Sequence, residues 1–130
     1  MNIAVRYFSR SGNTKAVADA IAGAAGVCAV SVDQTEATLA EPVDVLFLGG
    51  ALYAYGLDSH LKDYLNTLDK ASVKKAAVFS TSWLSRHAID LIKKGLSEAG
   101  IPAVEEAFYV KNKPNADQLK AAEEFARKYL

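Results

Sequence analysis

The sequence predicts a single α/β domain with a doubly wound parallel sheet and helices on both faces. Three observations predict it. Five apolar runs, at residues 2–8, 27–32, 43–49, 75–80 and 103–110, alternate with stretches of helical period. The clearest run, Val43-Asp44-Val45-Leu46-Phe47-Leu48, is nearly unbroken, as a strand buried on both faces should be. Finally, no internal repeat, low-complexity tract or Pro/Gly linker divides the 130 residues, and a chain of that length buries roughly two-thirds of its unfolded surface. Strands alternating with helices imply right-handed crossovers and a parallel sheet.

The elements follow in order. After the first run and a polar loop, residues 13–25 repeat Ala16-Val17, Ala20-Ile21 and Ala24 at every fourth position, and Gly26 stops this helix just past its end. A short turn is expected at residues 35–40, after the second run. The helix at residues 58–68 carries Leu61, Tyr64, Leu65 and Leu68 on one stripe, with Asp58 or Ser59 as its cap. Residues 85–99 place Ala88, Leu91, Ile92 and Ala99 on another stripe, ended by Gly100. In the last helix Asn115 and Gln118 have capping-box spacing, and Leu119, Ala122, Phe125, Ala126 and Tyr129 form the stripe to be buried.

Composition removes several function classes. With 51% hydrophobic and 23% charged residues, the chain is not of the disordered type. Fifteen basic and fifteen acidic residues balance, and the Lys74-Lys75 and Lys93-Lys94 pairs, Lys111 and Lys113 read as solvated edges or helix ends, not as a nucleic-acid face. One cysteine, Cys28, allows no internal disulfide and no cysteine-built zinc site, and it is expected to be a small buried hydrophobe in the second strand. The first apolar run is short and contains Arg6, unlike a signal peptide, and no run approaches the ~20 residues of a membrane helix. A cytoplasmic protein is expected, with neither nucleic acid nor membrane as partner. His60 and His87, at helix starts, read as surface residues, and no nucleophile triad, acid–base pair or metal-spaced ligand set is present. Arg6, inside a strand, needs a partner that the sequence does not name.

Doubly wound sheets bind ligands beyond the carboxyl ends of their strands. The loops to inspect are therefore residues 9–14, 50–57, 80–84 and 111–114. In Ser9-Arg10-Ser11-Gly12-Asn13-Thr14, Gly12 permits positive φ, and consecutive amides meet a helix N-terminus that favours an anion. Ser9, Ser11 and Thr14 add hydroxyls, and Asn13 can donate or brace the turn. The same residues would also suit an ordinary capped turn. Arg10 can pair with a bound anion or point into solvent, and Lys15 is equally open. The loop Gly49-Gly50-Ala51-Leu52-Tyr53-Ala54-Tyr55-Gly56-Leu57 offers two tyrosines to a flat aromatic ligand. Ser80-Thr81-Ser82-Trp83 offers hydroxyls and one more ring.

The Ser-Arg-Ser-Gly-Asn-Thr loop, with a strand before it and a helix after it, resembles the FMN-phosphate loop of the flavodoxin family, Ser/Thr-x-Ser/Thr-Gly-Asn-Thr, at every defined position. The resemblance extends over the five strand-helix units and the length of short-chain members. It implies strand order 2-1-3-4-5, FMN as cofactor, and redox partner proteins, a reductase and an acceptor. It also implies that Ala51, Leu52, Tyr53, Tyr55 and Gly56 cover the isoalloxazine, with Gly56 near flavin N5, where a peptide turns as the flavin takes up an electron. Ser80, Thr81 and Ser82 would meet the pyrimidine edge and Trp83 would stack or wall it, although this loop is shorter than in most flavodoxins. Flavodoxins are commonly acidic and this chain is neutral. One charge ~10 Å away at an effective dielectric of ~40 is worth about 0.8 kcal/mol, or ~35 mV, so a less extreme low potential is expected. The function implied is one-electron transfer between redox proteins. The alternatives are a small FMN-dependent NAD(P)H:quinone-type oxidoreductase and a flavin-free interaction module of the same fold.

Overall fold

The fold is described from a computed structural model covering residues 1–53, 56–82 and 85–130. At its centre lies β3 (Val43–Gly50), buried at every position but Asp44. Alternate side chains of a strand point to opposite faces. Val45 and Phe47 accordingly enter one core, with Val17, Ile21 and Phe125, whereas Leu46 and Leu48 enter the other, with Leu61, Leu65, Ile92 and Leu96. An unbroken apolar run is thus two alternating half-strands, each feeding its own layer.

Around β3 stand β1 (Ile3–Tyr7), β2 (Ala29–Ser31), β6 (Val73–Thr81) and β7 (Ala103–Val110) in the parallel order β2-β1-β3-β6-β7. The two missing numbers belong to a small antiparallel hairpin, β4 (Leu52–Tyr53) and β5 (Gly56–Leu57), which forms its own sheet. The expected order 2-1-3-4-5 matches only loosely, because it left this hairpin as loop. Helices α1 (Asn13–Ala25) and α4 (Ala116–Arg127) cover the Phe47 face. Helices α2 (Ser59–Leu65) and α3 (His87–Glu98) cover the Leu46 face.

Local chemistry sets the ends. Gly26 closes α1 at φ 73°, the left-handed conformation that glycine adopts without penalty. Asn115 and Gln118 form the complete reciprocal capping box at the start of α4. The expected helix at residues 58–68 stops at Leu65, because the amides of Thr67 and Leu68 fall back on the carbonyls of Tyr64 and Leu65 in tight turns, with Leu68 still buried. Arg6 finds its partners in main-chain carbonyls: Nε donates to Ala37 at 2.9 Å and Nη1 to Val5 at 3.1 Å.

One expectation fails. Cys28 precedes β2 and is exposed, neither in a strand nor buried, because the edge strand beside it is only three residues long and covers little. The opposite edge, β7, carries exposed Glu105 and Glu106. Lys93 Nζ donates to the Glu105 carbonyl at 2.8 Å, and Lys128 pairs with Glu106 at 2.9 Å.

Candidate functional site

The loop from β1 to α1, expected to hold an anion, is ordered by its own hydrogen bonds. Gly12 sits at φ 93°, leaving α1 with no side-chain cap and no acidic residue in its first turn. The serine hydroxyl oxygens brace the loop from within: Ser9 Oγ accepts from the Gly12 amide at 2.9 Å, and Ser11 Oγ from the Asn13 amide at 3.4 Å. Both oxygens are engaged as acceptors in these bonds, which leaves their protons free to donate. Asn13 Nδ2 donates to Asn112 Oδ1 at 3.4 Å, so the loop after β7 braces the loop after β1. Asn112 adopts φ 66°, a conformation asparagine tolerates better than most residues. The N-terminus of α1 therefore has no side-chain cap and no acidic residue in its first turn, and the dipole, hydroxyls and remaining amides form a donor set that fits a phosphate.

The hairpin and α2 are fastened to this loop by Arg10. Its Nε and Nη2 donate to Asp58 Oδ2 at 3.1 and 2.6 Å, its backbone amide donates to the Tyr53 hydroxyl at 3.0 Å, and its guanidinium lies 4.0 Å above the Tyr53 ring. Arg10 thus pairs with a carboxylate 48 residues away, a partner that the sequence did not name. The other oxygen of Asp58 accepts from the amide and Nδ1 of His60, both at 2.8 Å. The His60 ring stacks on Phe8, with centroids 4.9 Å apart. Burial acts to raise the Asp58 pKa, but the hydrogen bonds from Arg10 and His60 outweigh it and hold the carboxyl below its ordinary value. Burial pushes the Tyr53 hydroxyl up against the opposing pull of Arg10, so it stays protonated. Lys15 pairs with Asp19 along α1 at 2.8 Å and does not join the loop.

The third segment differs from expectation. Strand β6 runs one residue past the expected Ser80, so Thr81 also belongs to the strand and not to the loop after it. Ser80, Thr81 and Ser82 are all buried. Thr81 Oγ1 lies 2.6 Å from Thr14 Oγ1, Ser82 Oγ accepts from the Leu52 amide at 3.0 Å, and the Ser80 and Ser82 hydroxyls lie 3.5 Å apart. The Tyr109 hydroxyl donates to the Ser82 carbonyl at 2.6 Å, and Arg86 lies over the Tyr109 ring. Tyr55 and Trp83 lie outside the described residues. Ala51 leads into the hairpin, and Gly56 pairs with Tyr53 across it.

The structure therefore gathers Ser9, Arg10, Ser11, Gly12, Asn13, Thr14, Leu52, Tyr53, Thr81 and Ser82 at one end of the sheet, linked by hydrogen bonds. Sequence reasoning missed Asp58 as more than a helix cap, missed Tyr109, and pointed to the loop at residues 111–114 without singling out Asn112. Each acts on a residue dozens of positions away, for which there is no local signal.

A family model described as a flavodoxin domain matches residues 4–124. No curated protein matches the sequence. Among solved structures, the chain is similar to a flavodoxin from the domain Archaea, with TM-score 0.88, 22% identity, and 99% of this chain and 96% of that one covered. It is also similar to oxidised Flavodoxin 1 from Bacillus cereus, with TM-score 0.80, 24% identity, and coverage of 99% and 97%. Rubredoxin oxygen:oxidoreductase from Desulfovibrio gigas contains a similar region, with TM-score 0.84, 14% identity, and coverage of 98% of this chain and 34% of that one. At these identities the structural likenesses establish the fold alone.

Proposed function

The chain belongs to the flavodoxin domain family, and from that premise we propose that it holds FMN non-covalently and passes electrons singly between redox partner proteins, a reductase and an acceptor. The observation that carries the reading is the uncapped start of α1 behind Gly12, set in a hydroxyl-bearing loop with no acidic residue in the helix's first turn.

When bound, FMN supplies the electron chemistry. The chain's own residues bind, orient and shield it. The amides of Ser11 and Thr14, which the loop's own hydrogen bonds leave unused, and the hydroxyls of Ser9, Ser11 and Thr14 take the phosphate. Arg10, fixed by Asp58, holds the hairpin against that loop, so the phosphate and ring ends of the ligand are met by one connected unit. Tyr53 has one face covered by Arg10 and only the other left for a flat ligand. Gly56, opposite Tyr53 in the hairpin, carries no Cβ that would oppose rotation of its peptide.

The test is an absorption spectrum of the purified chain, reconstituted with FMN and followed through photoreduction. Tight binding and a long-lived one-electron form are expected of a carrier. Rapid two-electron reduction by NAD(P)H with turnover of a quinone would replace the carrier by an oxidoreductase. No binding would leave only an interaction module of this fold.

A further inference from the structure

The buried pair Thr14 and Thr81 carries more than a structural tie. Thr14 is the second residue of α1, at the end of the phosphate loop, and Thr81 ends β6; the two residues are 1% and 3% exposed. Their Oγ1 atoms are 2.6 Å apart, and each hydroxyl has only the other as hydrogen-bond partner among the described residues. Two hydroxyls own two protons, and the bond between them uses one. The second proton has no acceptor among the described protein groups. A buried donor left in that state is destabilising, and an acceptor from outside would relieve it.

The position of the pair decides which residue keeps the spare proton. Thr81 is the last residue of β6, paired with Val110 of β7. Thr14 adjoins Gly12 and Asn13 at the mouth of the cradle. Either hydroxyl can be the donor in the bond between them; with the outward proton on Thr14, that bond runs from Thr81 as donor to Thr14 as acceptor. A hydroxyl that accepts a hydrogen bond donates a stronger one.

We propose that Thr81 is a positioning residue for the phosphate site: its hydroxyl donates to Thr14 Oγ1, aiming the single Thr14 proton at a bound phosphate oxygen. This rests on the phosphate-site reading above, and it moves Thr81 from the pyrimidine edge of the ligand to the second layer behind its phosphate. The stiff χ1 of a β-branched residue serves such a role, because it holds Oγ1 in one direction.

The experiment compares FMN with riboflavin, which lacks the phosphate, on the purified chain and its variants. Thr81→Val keeps the shape and removes the donor. It should weaken FMN about fivefold and leave riboflavin within about twofold, while Thr81→Ser restores FMN affinity. Flavin-free protein gives a second readout. Inorganic phosphate, followed by amide shifts of Gly12 and Thr14, should bind Thr81→Val more weakly by a similar factor. Should the valine variant not fold, Thr81→Cys, a weak donor of similar size, takes its place with the same expectation. Unchanged FMN affinity, or equal weakening of FMN and riboflavin, would overturn the proposal and leave Thr81 as a packing residue. A parent chain that binds riboflavin as tightly as FMN would instead bring down the phosphate site itself, and this role with it.

Discussion

The two ends of the parallel sheet are made by the same strands and treat polar groups in opposite ways. At the amino end, polar residues stay wet. Asp44 accepts from the Asn2 amide at 2.8 Å, and Lys74, 81% exposed, reaches Asp44 only at 3.7 Å. At the carboxyl end they are buried: Thr14, Asp58, Ser80, Thr81 and Ser82 are all the buried polar residues among those described, and all five lie there. Burying a polar group without a partner costs several kcal/mol, and here each of the five side chains has at least one hydrogen-bond partner. A fold needs no such arrangement for stability, since apolar side chains of like volume would serve. Polar burial confined to one end is what a prebuilt binding site requires.

The comparison can be broken first at the cradle. Replacing Ser11 and Thr14 together by alanine should weaken FMN on the order of 100-fold, the loss of two hydrogen bonds to a charged group, with riboflavin nearly unaffected. Calorimetric titration of both ligands would decide it, and unchanged FMN affinity would place the phosphate elsewhere.

A smaller effect tests the fastening. Asp58→Asn should lower the unfolding free energy at neutral pH by about 1 kcal/mol, discounted because Arg10 is more than half exposed. The sign with pH follows from the lowered pKa of Asp58. Its contribution is fully present above the ordinary carboxylate value of about 4 and is lost as pH falls through the lower folded value. Urea unfolding across acidic pH should therefore show the parent chain losing its advantage over the variant. Parallel curves would mean that the pair contributes nothing. The smallest effect belongs to the wet end: Lys74→Ala should change stability by less than ~0.5 kcal/mol and leave FMN affinity alone. A larger change there would erase the contrast between the ends.

The same contrast explains what the sequence made legible. Strand β3 was readable because a doubly buried strand writes itself as a continuous apolar run, and α4 because its cap and stripe are local. The cradle was readable because all its residues are contiguous. The hairpin β4–β5 was not, since strands of two residues are shorter than any periodic signal. Arg10 with Asp58 and Thr14 with Thr81 are 48 and 67 residues apart, and their pairing exists only once the sheet has brought the ends of β1, β3 and β6 together. Cys28 misled because an apolar neighbourhood reads alike in a central and an edge strand.

The lysine laid against β7 bears on how the protein behaves in a crowd. An outer strand offers a row of unused main-chain groups onto which another chain can add. Here Lys93 already occupies the Glu105 carbonyl, and two glutamates stand exposed beside it. A second copy aligning there would have to expel the lysine and bring its own glutamates against these. The sheet thus carries its own guard against growing into a fibre, set at the edge farthest from β2.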